Sequence, residues 1–139
     1  MKIKNILLYI EPKDIVEPIS QFTMKLAQVS DARVIVLSVI QHPKPEVKSR
    51  IEEQAWKRLY EVEEDAFEAG IRTSLLLEEL DLLTTNTLTE KIINLAKTFQ
   101  ADALILANDT KINIKKLIQE MTIPVIVIPV KKNLKVQEV

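Results

Sequence analysis

The chain has no cysteine and a single histidine. A disulfide framework is excluded, and too few thiolate and imidazole ligands remain for a protein-built zinc or haem site. Glycine is almost as scarce, with Gly70 its only example. A phosphate loop needs several consecutive amides aimed at one anion, in backbone conformations that glycine alone adopts freely. Neither a G-x-G-x-x-G fingerprint nor a P-loop can be present. No excess of charge of either sign exists: 19 basic and 20 acidic residues leave a net charge of −1. That balance argues against a bulk nucleic-acid or anionic-membrane partner. No apolar run is long enough to span a bilayer, and the opening MKIKNILLYIE is too short in its apolar part for a signal peptide. A cytoplasmic location is the expectation.

What is present is a chain of 139 residues with 47% hydrophobic content, enough for one domain with its own core. The clearest segment is ADALILANDTKINIKKLIQEMTIPVIVIPV at 101–130. It predicts a buried strand over 102–107, a polar turn over 108–110, a helix over 112–120 and a second buried strand over 124–129. Unbroken apolar runs separated by one helix suit a βαβ crossover in a parallel sheet, whose strands are covered on both faces. The turn after the first of these strands is where an open α/β sheet holds a ligand.

The rest of the chain repeats the alternation. Ile6 to Ile10 form a first strand, stopped by Glu11 and Pro12. Pro18 suits the first turn of a helix running to about Val29, with Ile19, Phe22, Leu26 and Val29 on its apolar face. RVIVLSVI at 33–40 is a second strand, rich in β-branched residues and without alternation. His42, Pro43 and Pro45 break the chain. From 46 to 69, Val47, Ile51, Ala55, Leu59, Val62, Ala66 and Ala69 draw one helical stripe, which Gly70 ends. A third strand covers 71–77. Thr87 and Glu90 read as a capping box opening a helix with Ile92, Ile93, Leu95, Ala96 and Phe99 inward. Five strands and four helices in alternation predict a single-domain α/β fold over 1–130, a doubly wound parallel sheet, followed by a charged tail over 131–139.

The order of these elements, the long second helix, the phrase Ala101-Asp102-Ala103-Leu104-Ile105-Leu106 and the closing Pro124-Val125-Ile126-Val127-Ile128 resemble the universal stress protein family across nearly the whole chain. The resemblance implies a Rossmann-like sheet of order 3-2-1-4-5, a stress-response role, and homodimerisation through the last strand (Pro124, Val125, Ile126, Val127, Ile128 and Pro129). Pairing that strand with its own copy covers an otherwise exposed apolar edge. Family members that bind ATP carry an aspartate after the first strand, followed by small residues, and a segment G-x2-G-x9-G-[ST] after the fourth. Here the first position holds Glu11 with Pro12 and Lys13, and the second runs Ala107-Asn108-Asp109-Thr110-Lys111 without glycine. The expectation is a divergent member with no conventional ATP cofactor, acting as a regulatory protein through an unidentified protein partner, and not as an enzyme.

The alternative is a nucleotide-binding module or weak nucleotidase using a cleft made by Ile10, Glu11, Val39, Ala107, Asn108, Asp109 and Thr110. Lysines such as Lys13 and Lys111 would then replace the glycine loop. Each residue also has a plainer role. Asn108, Asp109 and Thr110 are ordinary helix starters. Glu11, Asp14 and Asp109 could hold a divalent cation through oxygen ligands, but their separation in sequence favours solvated carboxylates. Trp56 and Tyr60 lie beside the main stripe of the long helix, as packing residues or a partner-facing patch. His42 has no evident nucleophile or orienting partner in sequence, and no catalytic residue is assigned. On this reading Glu11→Ala alters stability only modestly.

Overall fold

The computed structural model describes residues 2–42 and 48–130. Its elements are β1 (Asn5–Tyr9), α1 (Val16–Ser30), β2 (Arg33–Gln41), α2 (Lys48–Ala69), β3 (Thr73–Leu80), α3 (Thr85–Thr98), β4 (Ala103–Ala107), α4 (Ile114–Glu120) and β5 (Val125–Ile128). All strand pairs are parallel, as the alternation of elements predicts, and the order is β3-β2-β1-β4-β5, as the family resemblance implies. The winding reverses between β1 and β4, so the carboxyl ends of these two central strands frame a topological switch point. The tail at 131–139 and the start of the long helix expected at 46 and 47 lie outside the described residues.

The apolar runs are explained by double coverage. Ile6, Leu8 and Ile10 face α1 and α2, among Ile19, Leu59 and Val62. Leu7 and Tyr9 face the other way, among Leu88, Ile92 and Leu117 of α3 and α4. Successive residues of one strand thus serve two cores. The stripe of α2 is observed from Ala55 through Leu59, Val62 and Ala66, all fully buried.

Three local expectations are corrected. Helix α1 starts at Val16 and buries Val16, Ile19, Ser20, Thr23, Met24 and Ala27, whereas Phe22 and Val29 face solvent. Small residues allow this helix to lie close to the sheet, which turns the bulkier pair outward; Thr23 satisfies its buried hydroxyl by donating to the Ile19 carbonyl at 2.8 Å. The capping box of α3 sits one turn earlier than expected: Thr84 is the N-cap and Thr87, not Glu90, its reciprocal partner. Helix α4 begins after Asn113, whose Oδ1 accepts from the Lys116 amide at 3.1 Å.

Gly70 ends α2 at φ 70°, and the Ile71 amide returns to the Ala66 carbonyl at 2.8 Å. With no further glycine to use, the chain adopts the same left-handed conformation at Asp31 after α1 (φ 56°) and at Gln100 after α3 (φ 53°).

Candidate functional site at the carboxyl end of the sheet

Strand β1 delivers Glu11 to the switch point. Pro12 stops the strand, and the turn behind it is closed by two reciprocal bonds: the Glu11 amide donates to Asp14 Oδ2 at 2.7 Å, and the Asp14 amide donates to the Glu11 carbonyl at 2.9 Å. The Glu11 side chain then folds inward and is only 4% exposed. Its Oε2 accepts from the Thr110 hydroxyl at 2.8 Å, the Lys111 amide at 3.1 Å and the Tyr9 hydroxyl at 3.2 Å. Thr110 Oγ1 also accepts from the Ile112 amide at 3.2 Å, so two amides of the loop after β4 are tied directly or through one hydroxyl to this carboxylate. Glu11 Oε1 has no hydrogen bond; the Lys13 ammonium stands 3.7 Å away and also reaches Asp109 at 3.4 Å.

The electrostatics follow from burial. Tyr9 is pushed far above the usual phenol range, first by burial and then by the Glu11 charge, so it stays a donor at all ordinary pH. Burial, the largest cause, also lifts Asp14 from 3.8 to about 6; the hydrogen bond from the Glu11 amide and the Lys13 charge oppose this, while the Glu11 and Asp109 charges add to it.

The predicted cleft residues are distributed unevenly. Glu11, Thr110 and Asp109 converge, Asp109 through Lys13. Val39 lines a neighbouring cavity of about 220 Å³, together with Tyr9, Glu11, Gln54, Leu83 and Lys111. Ile10 and Ala107 are buried among the core residues on the α1 side. Asn108 fastens the loop to the end of β5: its amide donates to the Ile128 carbonyl and its Oδ1 accepts from the Val130 amide at 2.9 Å. The helix-capping role open to Asn108, Asp109 and Thr110 therefore falls to Asn113 instead. Among the described residues no group of three or more histidine, cysteine, aspartate or glutamate side chains is arranged to hold a metal ion. His42 meets Glu79 at 2.6 Å on the exposed rim near the β2 and β3 ends.

Sequence reasoning missed Tyr9, although the signal was there: residues two apart on a strand share a face, which puts Tyr9 beside Glu11. Gln54 and Leu83 reach the cavity from α2 and from the loop before α3. Nothing local in the sequence marks them.

No protein-family model matches the chain, and no curated protein matches it. Solved structures do. A universal stress protein family member from Burkholderia pseudomallei superposes with a TM-score of 0.76 at 16% identity, covering 93% of this chain and 98% of that one. The universal stress protein from Archaeoglobus fulgidus, in complex with dAMP, gives 0.71 at 16% identity over 91% and 98%. A universal stress protein family protein from Arabidopsis thaliana with AMP bound gives 0.69 at 13% identity over 94% of each. The chain has the universal stress protein fold. Identities this low carry the fold alone.

Proposed function

We propose that this protein is a divergent universal stress protein, a cytoplasmic regulatory protein that dimerises through β5 and acts through protein contacts without conventional ATP binding. One observation carries the reading: the Glu11 carboxylate occupies the Lys111 amide and the Thr110 hydroxyl, two of the donors of the loop after β4 at the switch point. An incoming phosphate would meet a buried negative charge where a glycine-rich loop would present free amides. The adjoining cavity, at about 220 Å³, is also below the roughly 300–1,000 Å³ of ordinary small-molecule sites. The dimer reading is supported by the half-buried Val125, Ile126, Val127 and Ile128, on a strand that among the described residues pairs with no strand but β4.

A second reading has its own support. Glu11 lines the cavity and leaves Oε1 without a hydrogen-bond partner, an acceptor that a ribose hydroxyl or an adenine amine would suit. AMP and dAMP are bound in two of the structural neighbours. The deciding experiment is calorimetric titration of nucleotide-stripped protein with ATP plus magnesium and, separately, with AMP. No heat from either, with folded protein, is the expected result. Saturable binding near 1 μM, worth about 8 kcal/mol, would put the nucleotide module first.

A further inference from the structure

Helix α2 carries an aromatic and acidic face that no other described element covers. Trp56 and Tyr60 stack with ring centroids 5.6 Å apart and 27° between their planes. Phe67 follows two turns after Tyr60 on the same face. Trp56 rests against the core, but Tyr60 is 55% and Phe67 85% exposed. Three of the chain's six aromatic residues therefore stand on one helix face. A shallow depression of about 770 Å³ beside Trp56 and Tyr60 is bounded by Glu52, Glu53, Glu61 and Glu64, with Lys57 the one cation among them. It has a neighbour of about 530 Å³ between Tyr60, Phe67 and Ile71, at the edge strand β3.

The charge of this segment sets it apart from the rest of the chain. Positions 52–68 hold seven acidic and two basic residues, a net of −5, against −1 for the whole protein. Exposed glutamates alone would be an ordinary solvated helix face. Aromatic rings at 56, 60 and 67 add nothing to solvation, and their exposure calls for an apolar cover. The cover must also tolerate a strongly negative rim. A second copy meeting this face about a two-fold axis would set −5 against −5, and an anionic membrane would be repelled in the same way.

We propose that this face of α2 docks a basic amphipathic helix of a partner protein. Its apolar side chains cover Tyr60 and Phe67, and its arginines or lysines pair with Glu53 and Glu64, since Glu61 is already paired with Arg58. Guanidinium groups suit the mixture, since they stack on aromatic rings and bind carboxylates in two-pronged fashion. From Trp56 to Phe67 the face is roughly 16 Å long, about three turns of a helix laid along it. The proposal rests on the protein-contact reading above and names the kind of partner.

Trp56 is the only tryptophan, so its emission reports on this face alone. The full-length protein is titrated with a synthetic 18-residue peptide of leucine and arginine at helical spacing. A saturable emission change is expected, weakened at least tenfold by Glu53→Lys with Glu64→Lys and by Tyr60→Ala with Phe67→Ala. Glu17→Lys with Glu120→Lys makes the same change in net charge elsewhere on the surface and is expected to leave binding within twofold. Equal weakening by both charge-reversal pairs would reduce the effect to bulk electrostatics and overturn the proposal. So would no response to the peptide, or an emission change produced by protein concentration alone, which would mean that a second copy covers the face. Nucleotide calorimetry is independent of these outcomes, so failure of this surface and failure of the functional reading are told apart.

Discussion

Thr110 donates a 2.8 Å hydrogen bond to Glu11 Oε2 across 99 positions of sequence, joining the end of β1 to the loop after β4. The bond closes the switch point from within. It also fixes a loop that has no glycine and only a seven-residue helix behind it.

Glu11→Ala is therefore expected to destabilise the protein by about 3 kcal/mol, because hydrogen bonds to a charged group are lost and the Lys111 amide keeps no partner. That exceeds the modest effect anticipated from the sequence, where Glu11 reads as a carboxylate at a strand end. Urea denaturation checks it, and a loss below about 1 kcal/mol would show that the network contributes little. The same variant separates the functional readings: nucleotide affinity should not fall if the carboxylate blocks the loop, and must fall if Glu11 is the ligand's acceptor.

Asp14 gives a pH signature of opposite sign to most carboxylates. Its folded value, lifted to about 6 chiefly by burial, lies above the unfolded 3.8, so the native state binds the extra proton between those limits. Stability from this group is present below pH 4 and is lost as pH rises towards 6. Asn keeps an acceptor for the Glu11 amide without the charge. Asp14→Asn should stabilise on the order of 1 kcal/mol at pH 7.5, the group being partly exposed to solvent screening, and by nearly nothing at pH 4. Denaturation midpoints at the two pH values check this; equal shifts at both would reject it.

Gln100 holds φ 53° after α3, a conformation that a side chain with a Cβ enters only at a cost. Gln100→Gly relieves that strain but adds freedom to the unfolded chain, and the balance predicts a gain of about 0.5–1 kcal/mol. The Gln100 carbonyl that accepts from Asn5 Nδ2 at 3.2 Å is unchanged by the substitution. A rise in thermal midpoint is the expected outcome; a fall would mean that the side chain contributes more than the backbone loses.

The strands were legible because double burial writes unbroken apolar runs, as in Ile6 to Ile10 and Ala103 to Ala107. The order of the sheet was not in those runs and came from a resemblance that the fold comparison upholds. Helix α1 was misread by one step around its axis, because Ser20, Thr23 and Ala27 bury through smallness, which a hydrophobic stripe does not score. The site was half legible. Glu11 and Thr110 stood out by position, but nothing in the sequence announced that they would bond to each other. Such a pairing between side chains nearly a hundred residues apart depends on the sheet that brings them together.

Among the described residues that sheet leaves β5 with one hydrogen-bonded side, facing β4, and one open side. Its four residues are half-buried, and exposed prolines at 124 and 129 flank them, so the ladder can extend outward only over Val125 to Ile128. Two copies related by a two-fold axis would meet there as an antiparallel pair and cover this apolar edge. Val127→Lys puts a charge at the centre of that pairing. Val127 lies opposite Leu106 in the existing ladder, and its partial exposure gives the lysine stem a route to solvent in a monomer. A monomer by light scattering is the expected result, with the far-UV circular dichroism of the parent. An unchanged dimer mass would place self-association elsewhere on the molecule.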